Sequence, residues 1–204
     1  MIRILLFAIC FWGGFLPTDI MAQDADSVVD TSKVVLKVYR SYGEGLRNPD
    51  SVFVLDLSKQ KRKVLPDEVR QFRTLQELRI SRNSLSTLPD WIGELTQLKK
   101  LDVSNNKLTS LPASIGLLNK LEFLGLNRNL IRELPVEIGG LSSLQILEMW
   151  DNELEVVPDE LKKLHALKVF ELRGILFSQR DQERIRSLVP DADVYFSPPC
   201  NCKN

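Results

Sequence analysis

Apolar residues return along this chain at a fixed interval. From Leu75 to Leu95 the order is LQELRISRNSLSTLPDWIGEL, and the pattern LxxLxLxxNxLxxLPxxIGxL returns almost unchanged in the copies beginning at Leu98, Leu121 and Leu144. Its first leucine is found again at Leu167, and a degenerate copy starts at Val52. Relative positions 4 and 6 are apolar and two apart, which is the strand period, so they face inward while positions 3, 5 and 7 face outward. Every unit therefore predicts one short parallel strand, from Val52/Leu55/Leu57 at one end to Leu167/Phe170/Leu172 at the other. The return half, for example Leu111-Pro112-x-x-Ile115-Gly116-x-Leu118, places apolar residues three apart after a proline suited to a first helical turn. An internal period of this length means stacked units lining a horseshoe. The predicted fold is an α/β solenoid: a concave parallel sheet of about six to seven short strands, with short helical turns on the convex side. A lone unit cannot bury its own apolar face, so neighbours must complete each other's core.

Three residues after each strand comes Asn83, Asn106, Asn129 or Asn152. A short amide turned inward can satisfy backbone groups that the bend would otherwise bury unpaired, which accounts for asparagine where the chain otherwise wants leucine. Four copies at one spacing point to a repeated structural duty and away from a catalytic one.

Laid out this way, the chain resembles the leucine-rich repeat family, in its LPxxIGxLxxLxxLxLxxNxL class, over about Val52 to Phe177. Repeats of this class occur in Ras-group and Scribble-like proteins and in secreted bacterial proteins. The resemblance implies a leucine-rich-repeat horseshoe that binds protein partners on its concave sheet.

The flanks read differently. Residues 1–22 have the form of a secretory signal: Arg3, an apolar run from Ile4 to Leu16, Pro17, and Ala22 before the expected cleavage point. Residues 23–51 are expected to be a polar leader followed by an N-terminal cap, with a strand near Val34–Tyr39 and a short helix over Tyr42–Leu46. Ser41-x-x-Glu44 offers that helix a capping box. About six repeats fill 52–177. A C-terminal helix-strand cap follows over 178–196, its helix running from about Gln179 to Val189 behind a second capping signal, Ser178-x-x-Asp181, and its strand carrying Val194 and Phe196 one residue out of step. Residues 197–204 are a tail holding Cys200 and Cys202, too close in sequence for an unstrained disulfide and too few for a zinc site.

If the strands stack, their outward positions form columns. In the N-terminal half these are polar and of mixed charge. In the C-terminal half Phe123, Ile146, Val169 and Trp150 come onto adjacent strands, with Gly125 leaving a gap among them and with Glu148, Glu171, Arg128 and Arg173 nearby. Aromatic and aliphatic residues beside arginine are the composition of an interaction hot spot, and these eight are the expected partner-binding residues.

Charge and chemistry narrow the function classes. The 204 residues carry 27 basic and 27 acidic side chains, so no global basic field exists to collect nucleic acid. The single histidine, His165, cannot form a metal site alone, and Trp91 is expected to pack on the convex side. No nucleophile–base grouping, phosphate loop or metal-ligand cluster appears, so neither cofactor nor catalysis is expected. Glu148 and Glu171 would be neighbours, the one arrangement that could imitate a glycosidase, but an open sheet offers no pocket to tune them. The sequence therefore points to a secreted, periplasmic or envelope binding protein, monomeric, without a membrane span once the signal is removed. Its expected partner is another protein, with a surface glycan as the alternative ligand and a structural or adhesion role in the envelope as the alternative function.

Overall fold

The computed structural model describes residues 36–198. The signal stretch, the polar leader, Val34, and the cysteines of the tail lie outside the described residues. A single sheet of eight parallel strands runs in chain order: β1 (Val38–Tyr39), β2 (Val54–Asp56), β3 (Glu77–Arg79), β4 (Lys100–Asp102), β5 (Phe123–Gly125), β6 (Ile146–Glu148), β7 (Val169–Leu172) and β8 (Asp193–Phe196). The class is the one the periodicity predicts. The count exceeds six to seven because both caps add a strand to the repeat sheet.

From β2 to β7 the register is the repeat itself: Leu55, Leu78, Leu101, Leu124, Leu147 and Phe170 lie side by side, each one repeat length from the next. All six are completely buried. β8 pairs one residue further along than the repeat would place it, Phe170 beside Val194 and Leu172 beside Phe196, so the extra residue is absorbed without turning the strand over.

On the convex side each of the first five units makes a short 3₁₀ turn: Asp67–Gln71, Asp90–Glu94, Ala113–Leu117, Val136–Gly140 and Asp159–Lys163. The proline of the motif stands just before the turn in extended conformation, at ψ 136–151°, instead of within its first turn. Its carbonyl is what the turn needs. In the third turn Pro112 O accepts from Ile115 N–H at 3.0 Å, and Ile115 O accepts from Leu118 N–H at 3.1 Å, an i→i+3 ladder that closes within so short a segment. The glycine of the motif serves close stacking. A Cβ on Gly116 would run into the Glu137 backbone of the next turn, and one on Gly93 into that of Ser114.

The four asparagines connect repeats. Asn106 Nδ2 donates to Val103 O in its own unit (2.9 Å) and to Ile80 O in the preceding one (3.0 Å), while its Oδ1 accepts from Leu85 N–H at 3.0 Å. Asn129 does the same with Leu126 O, Val103 O and Leu108 N–H, and Asn152 with Met149 O, Leu126 O and Ile131 N–H. Asn83 bonds Ile80 O and Leu57 O and accepts from both Gln60 and Arg62 N–H. The carbonyls of Ile80, Val103 and Leu126 thus each receive two amides, which makes one continuous hydrogen-bonded ladder through the core.

The caps close its ends. Helix α1 (Tyr42–Gly45) sits at the N-terminal end, where Gly45 packs against Val52 and the fully buried Phe72 with no room for a side chain. The capping box expected at Ser41 does not form: Ser41 makes no side-chain cap bond, and the Glu44 carboxylate that would complete the box is held by Lys37 at 2.8 Å. At the other end α2 (Gln179–Leu188) starts from Ser178, whose hydroxyl accepts from Asp181 N–H at 3.2 Å, and buries Ile185 against the last repeat. Among the described residues no helix is long and apolar enough to cross a membrane.

Candidate binding surface

Since positions 3, 5 and 7 of every unit leave the concave face of the sheet, the site is built from strand register. In the N-terminal half the face is occupied by its own charges. Glu77 bonds Arg79 at 2.8 Å and Lys100 at 3.3 Å, and Arg79 approaches Asp56 at 3.9 Å. Partial burial pushes the Glu77 carboxyl up, yet Arg79 and Lys100 together outweigh it and hold the group below its ordinary 4.5. The bond to Glu77 in turn raises Arg79. Val54, outward by position, is buried at this end.

The expected C-terminal residues do come together. Phe123, Ile146 and Val169 are register neighbours on β5, β6 and β7, and Glu148 lies beside Glu171. They differ from the expectation in exposure: all three apolar residues and Trp150 are half-buried, since equivalent side chains of adjacent repeats pack along the sheet. Gly125 leaves no gap, because the Phe123 ring leans over it and a Cβ there would stand 3.0 Å from the ring edge. Lys100 lies over the other side of this arrangement, with Nζ 5.1 Å from the Phe123 ring centre.

Both acids are engaged within the protein. Glu171 is only 7% exposed, and Arg173 holds its two oxygens at 2.7 Å each. That bond raises the Arg173 guanidinium above its ordinary value. Glu148 accepts from Asn127 Nδ2 at 2.6 Å, and Asn127 Oδ1 accepts from Trp150 N–H at 3.0 Å. Glu148 and Glu171 therefore fix the positions of Trp150 and Arg173, the groups that reach solvent. Trp150 carries Arg128 stacked at 4.6 Å from its ring centre, and Arg128 also stands 3.5 Å from Asp151. Trp150, Asp151, Arg173 and Gly174 line a depression of about 350 Å³.

Three members of this surface escaped the sequence reading. Asn127 looked like one more polar outward letter, and only its 4% exposure shows a clamp. Asp151 sits just past the strand, in the left-handed turn shared by Lys59, Arg82, Asn105 and Arg128. Tyr195, 47% exposed and beside Glu171, extends the face onto the cap; the shifted spacing of β8 was the available signal. Elsewhere, Trp91 Nε1 donates to Asp67 at 2.8 Å while its ring packs on the core, and His165 is exposed. Among the described residues no group of three or more potential metal ligands occurs.

The repeat, the open parallel sheet and the asparagine ladder define a class: the chain is a leucine-rich repeat protein. A family model described as "Leucine rich repeat" matches residues 50–108 and 73–131. Among solved structures, a Leptospira interrogans leucine-rich repeat protein is 30% identical with a TM-score of 0.63, covering 79% of this chain and 49% of its own. Internalin C2 of Listeria monocytogenes is 20% identical with a TM-score of 0.64, covering 74% and 64%, and shares the fold. A plant peptide hormone receptor, RGFR1, solved in complex with RGF2, is 22% identical with a TM-score of 0.62, covering 79% of this chain and 26% of its own. The present chain thus spans less than two thirds of the length of each. Comparison with curated proteins gives no match.

Proposed function

We propose that this protein is a non-catalytic, exported recognition module that binds another protein through the C-terminal half of its concave sheet. One observation carries the reading. Trp150 is anchored through its backbone by Asn127, backed by Arg128, and placed at the mouth of the depression it shares with Arg173. A preorganised tryptophan between two arginines loses little entropy on binding, and such residues dominate interface energetics. Ile146, Val169 and Tyr195 extend the contact area over β6 to β8.

The N-terminal half of the sheet contrasts with it, because its charges are satisfied by one another. The apolar stretch Ile4–Leu16 supports export, and the plant peptide hormone receptor solved in complex with RGF2 offers a parallel for a peptide or protein ligand on this architecture. The acids Glu148 and Glu171 are spent on Asn127 and Arg173, which argues against glycoside hydrolysis on this face.

The test is capture of partners from the native envelope fraction by wild type and by a Trp150→Ala/Phe123→Ser double variant. Loss of the captured protein by a variant that keeps its circular dichroism supports the reading. Unchanged capture by the folded variant would sink it, and selective retention of carbohydrate in place of protein would transfer the site to a glycan.

A further inference from the structure

Between the concave strands and the convex turns, each unit crosses one rim of the solenoid through relative positions 7 to 14. Charge along this rim is segregated. Residues 58–65 hold four cations (Lys59, Lys61, Arg62, Lys63) and no acid, while residues 150–157 hold three acids (Asp151, Glu153, Glu155) and no cation. The three units between them are weakly basic and alike: one cation each in 81–88 and 104–111, and two cations against Glu133 in 127–134.

The first and fifth units match position by position in sequence, while the sixth, 173–180, is basic again through Arg173 and Arg180. Lys59, Lys61 and Lys63 occupy relative positions 8, 10 and 12 of the first unit, and Asp151, Glu153 and Glu155 occupy the same positions of the fifth. Position 13 is an exposed valine in both, Val64 at 71% and Val156 at 54%. The equivalence is structural at position 8, whereas Lys61 at position 10 is left-handed (φ 55°) and Glu153 is not. Lys59 and Asp151 share the left-handed turn conformation with φ of 60° and 55°, and the position-13 residues Glu133 and Val156 form a bridge between neighbouring units. Among the described residues none of the three lysines forms an ion pair. Asp151 and Glu153 meet only well-exposed arginines, Arg128 and Arg132, and such surface pairs are weak and readily exchanged.

We propose that this rim pairs with the same rim of a second copy, antiparallel about a twofold axis through the third unit. Chain order runs from the concave to the convex side across the rim. A twofold axis in that direction reverses the order of units while leaving positions 8 to 13 in place. Lys59, Lys61 and Lys63 of one copy then face the end bearing Asp151, Glu153 and Glu155 of the other, and Val64 faces Val156, twice per dimer; nearer the axis Arg82 faces Arg128 and Lys107 its own counterpart, like-charge contacts that the end pairs must outweigh. This departs from the monomer expected from the sequence. Both concave sheets stay uncovered and open to the same side, so the dimer would be bivalent for ligand. The rim adjoins the concave-face surface, sharing Asn127, Arg128, Trp150 and Asp151 with it, but the six charged sites exchanged below include only Asp151 of that surface.

The experiment is a charge exchange followed by sedimentation velocity. Wild type is expected to dimerise at low ionic strength and to dissociate in roughly 0.5 M salt, where screening shortens to a few ångströms. Lys59→Glu/Lys61→Glu/Lys63→Glu and Asp151→Lys/Glu153→Lys/Glu155→Lys should each dimerise at least about tenfold more weakly than wild type. An equimolar mixture of the two should form heterodimer, because the exchanged charges again oppose each other. All six sites are exposed, so folding is not at stake, and the salt response of wild type needs no variant. A wild type that stays monomeric at low salt, variants that dimerise normally, or a mixture that does not associate would each overturn the proposal. So would lysine-dependent capture on heparin without dimerisation, which would mark the basic end as a polyanion site.

Discussion

Removing one rung of the asparagine ladder isolates a single buried donor. Asn129 is 5% exposed; its Nδ2 bonds Val103 O at 3.1 Å and Leu126 O at 2.8 Å, and its Oδ1 receives Leu108 N–H at 3.0 Å. After Asn129→Ala both carbonyls keep a second donor, from Asn106 at 2.9 Å and Asn152 at 3.0 Å, but the Leu108 N–H is left with no acceptor. An orphaned buried donor costs about 1–3 kcal/mol and each lost hydrogen bond roughly 0.5–1.5, so the variant should lose about 3 kcal/mol. Asn129→Asp is the informative partner. It retains the acceptor for Leu108 but turns a carboxylate oxygen toward two carbonyls, so at neutral pH it should be the less stable of the two. Its deficit should shrink on acidification, since a neutral carboxyl can donate once more, while the alanine deficit stays level. Urea unfolding followed by circular dichroism, compared at unchanged m-value, gives both numbers. An alanine variant costing under about 1 kcal/mol, or an aspartate variant equal to it at neutral pH, would refute the ladder as an energetic element.

Two further outcomes follow from the caps and the charged half of the sheet. Ser178→Ala should lower stability by about 1 kcal/mol through loss of the cap to Asp181 N–H, whereas Ser41→Ala should change it by little, because Ser41 caps nothing; paired melting curves distinguish them. Glu77, held below its ordinary value, gives stability that is present above the unfolded-state pKa and is lost as pH falls through the lower folded value. Glu77→Gln should therefore be less stable than wild type at neutral pH and converge with it in acid, once pH has fallen below the lowered folded value, in urea midpoints measured across that range.

Much of the fold was written in the order of residues, because a repeat makes every element local. Leu78 finds Leu101 through the constant repeat length, so the period alone sets the register of six strands, and the asparagine spacing sets the ladder. The caps were legible at Ser178, which starts a ten-residue helix, and misread at Ser41, where the helix is four residues long with two glycines and Glu44 pairs with Lys37. The convex segments read as helix starts because proline and threefold apolar spacing suit several helices. A short segment and a carbonyl supplied by the proline favour the 3₁₀ form.

For the binding face, sequence named the columns and the tertiary structure decided their character. That Phe123 would fill the space over Gly125, that Glu171 would be nearly buried under Arg173, and that Asn127 would hold Glu148 and Trp150 together are consequences of side chains meeting across strands. No single unit encodes these contacts. Periodicity determines which way each side chain points, since backbone geometry repeats without regard to identity. What the side chain does there depends on its counterparts in the repeats before and after, and those differ at every step of the solenoid.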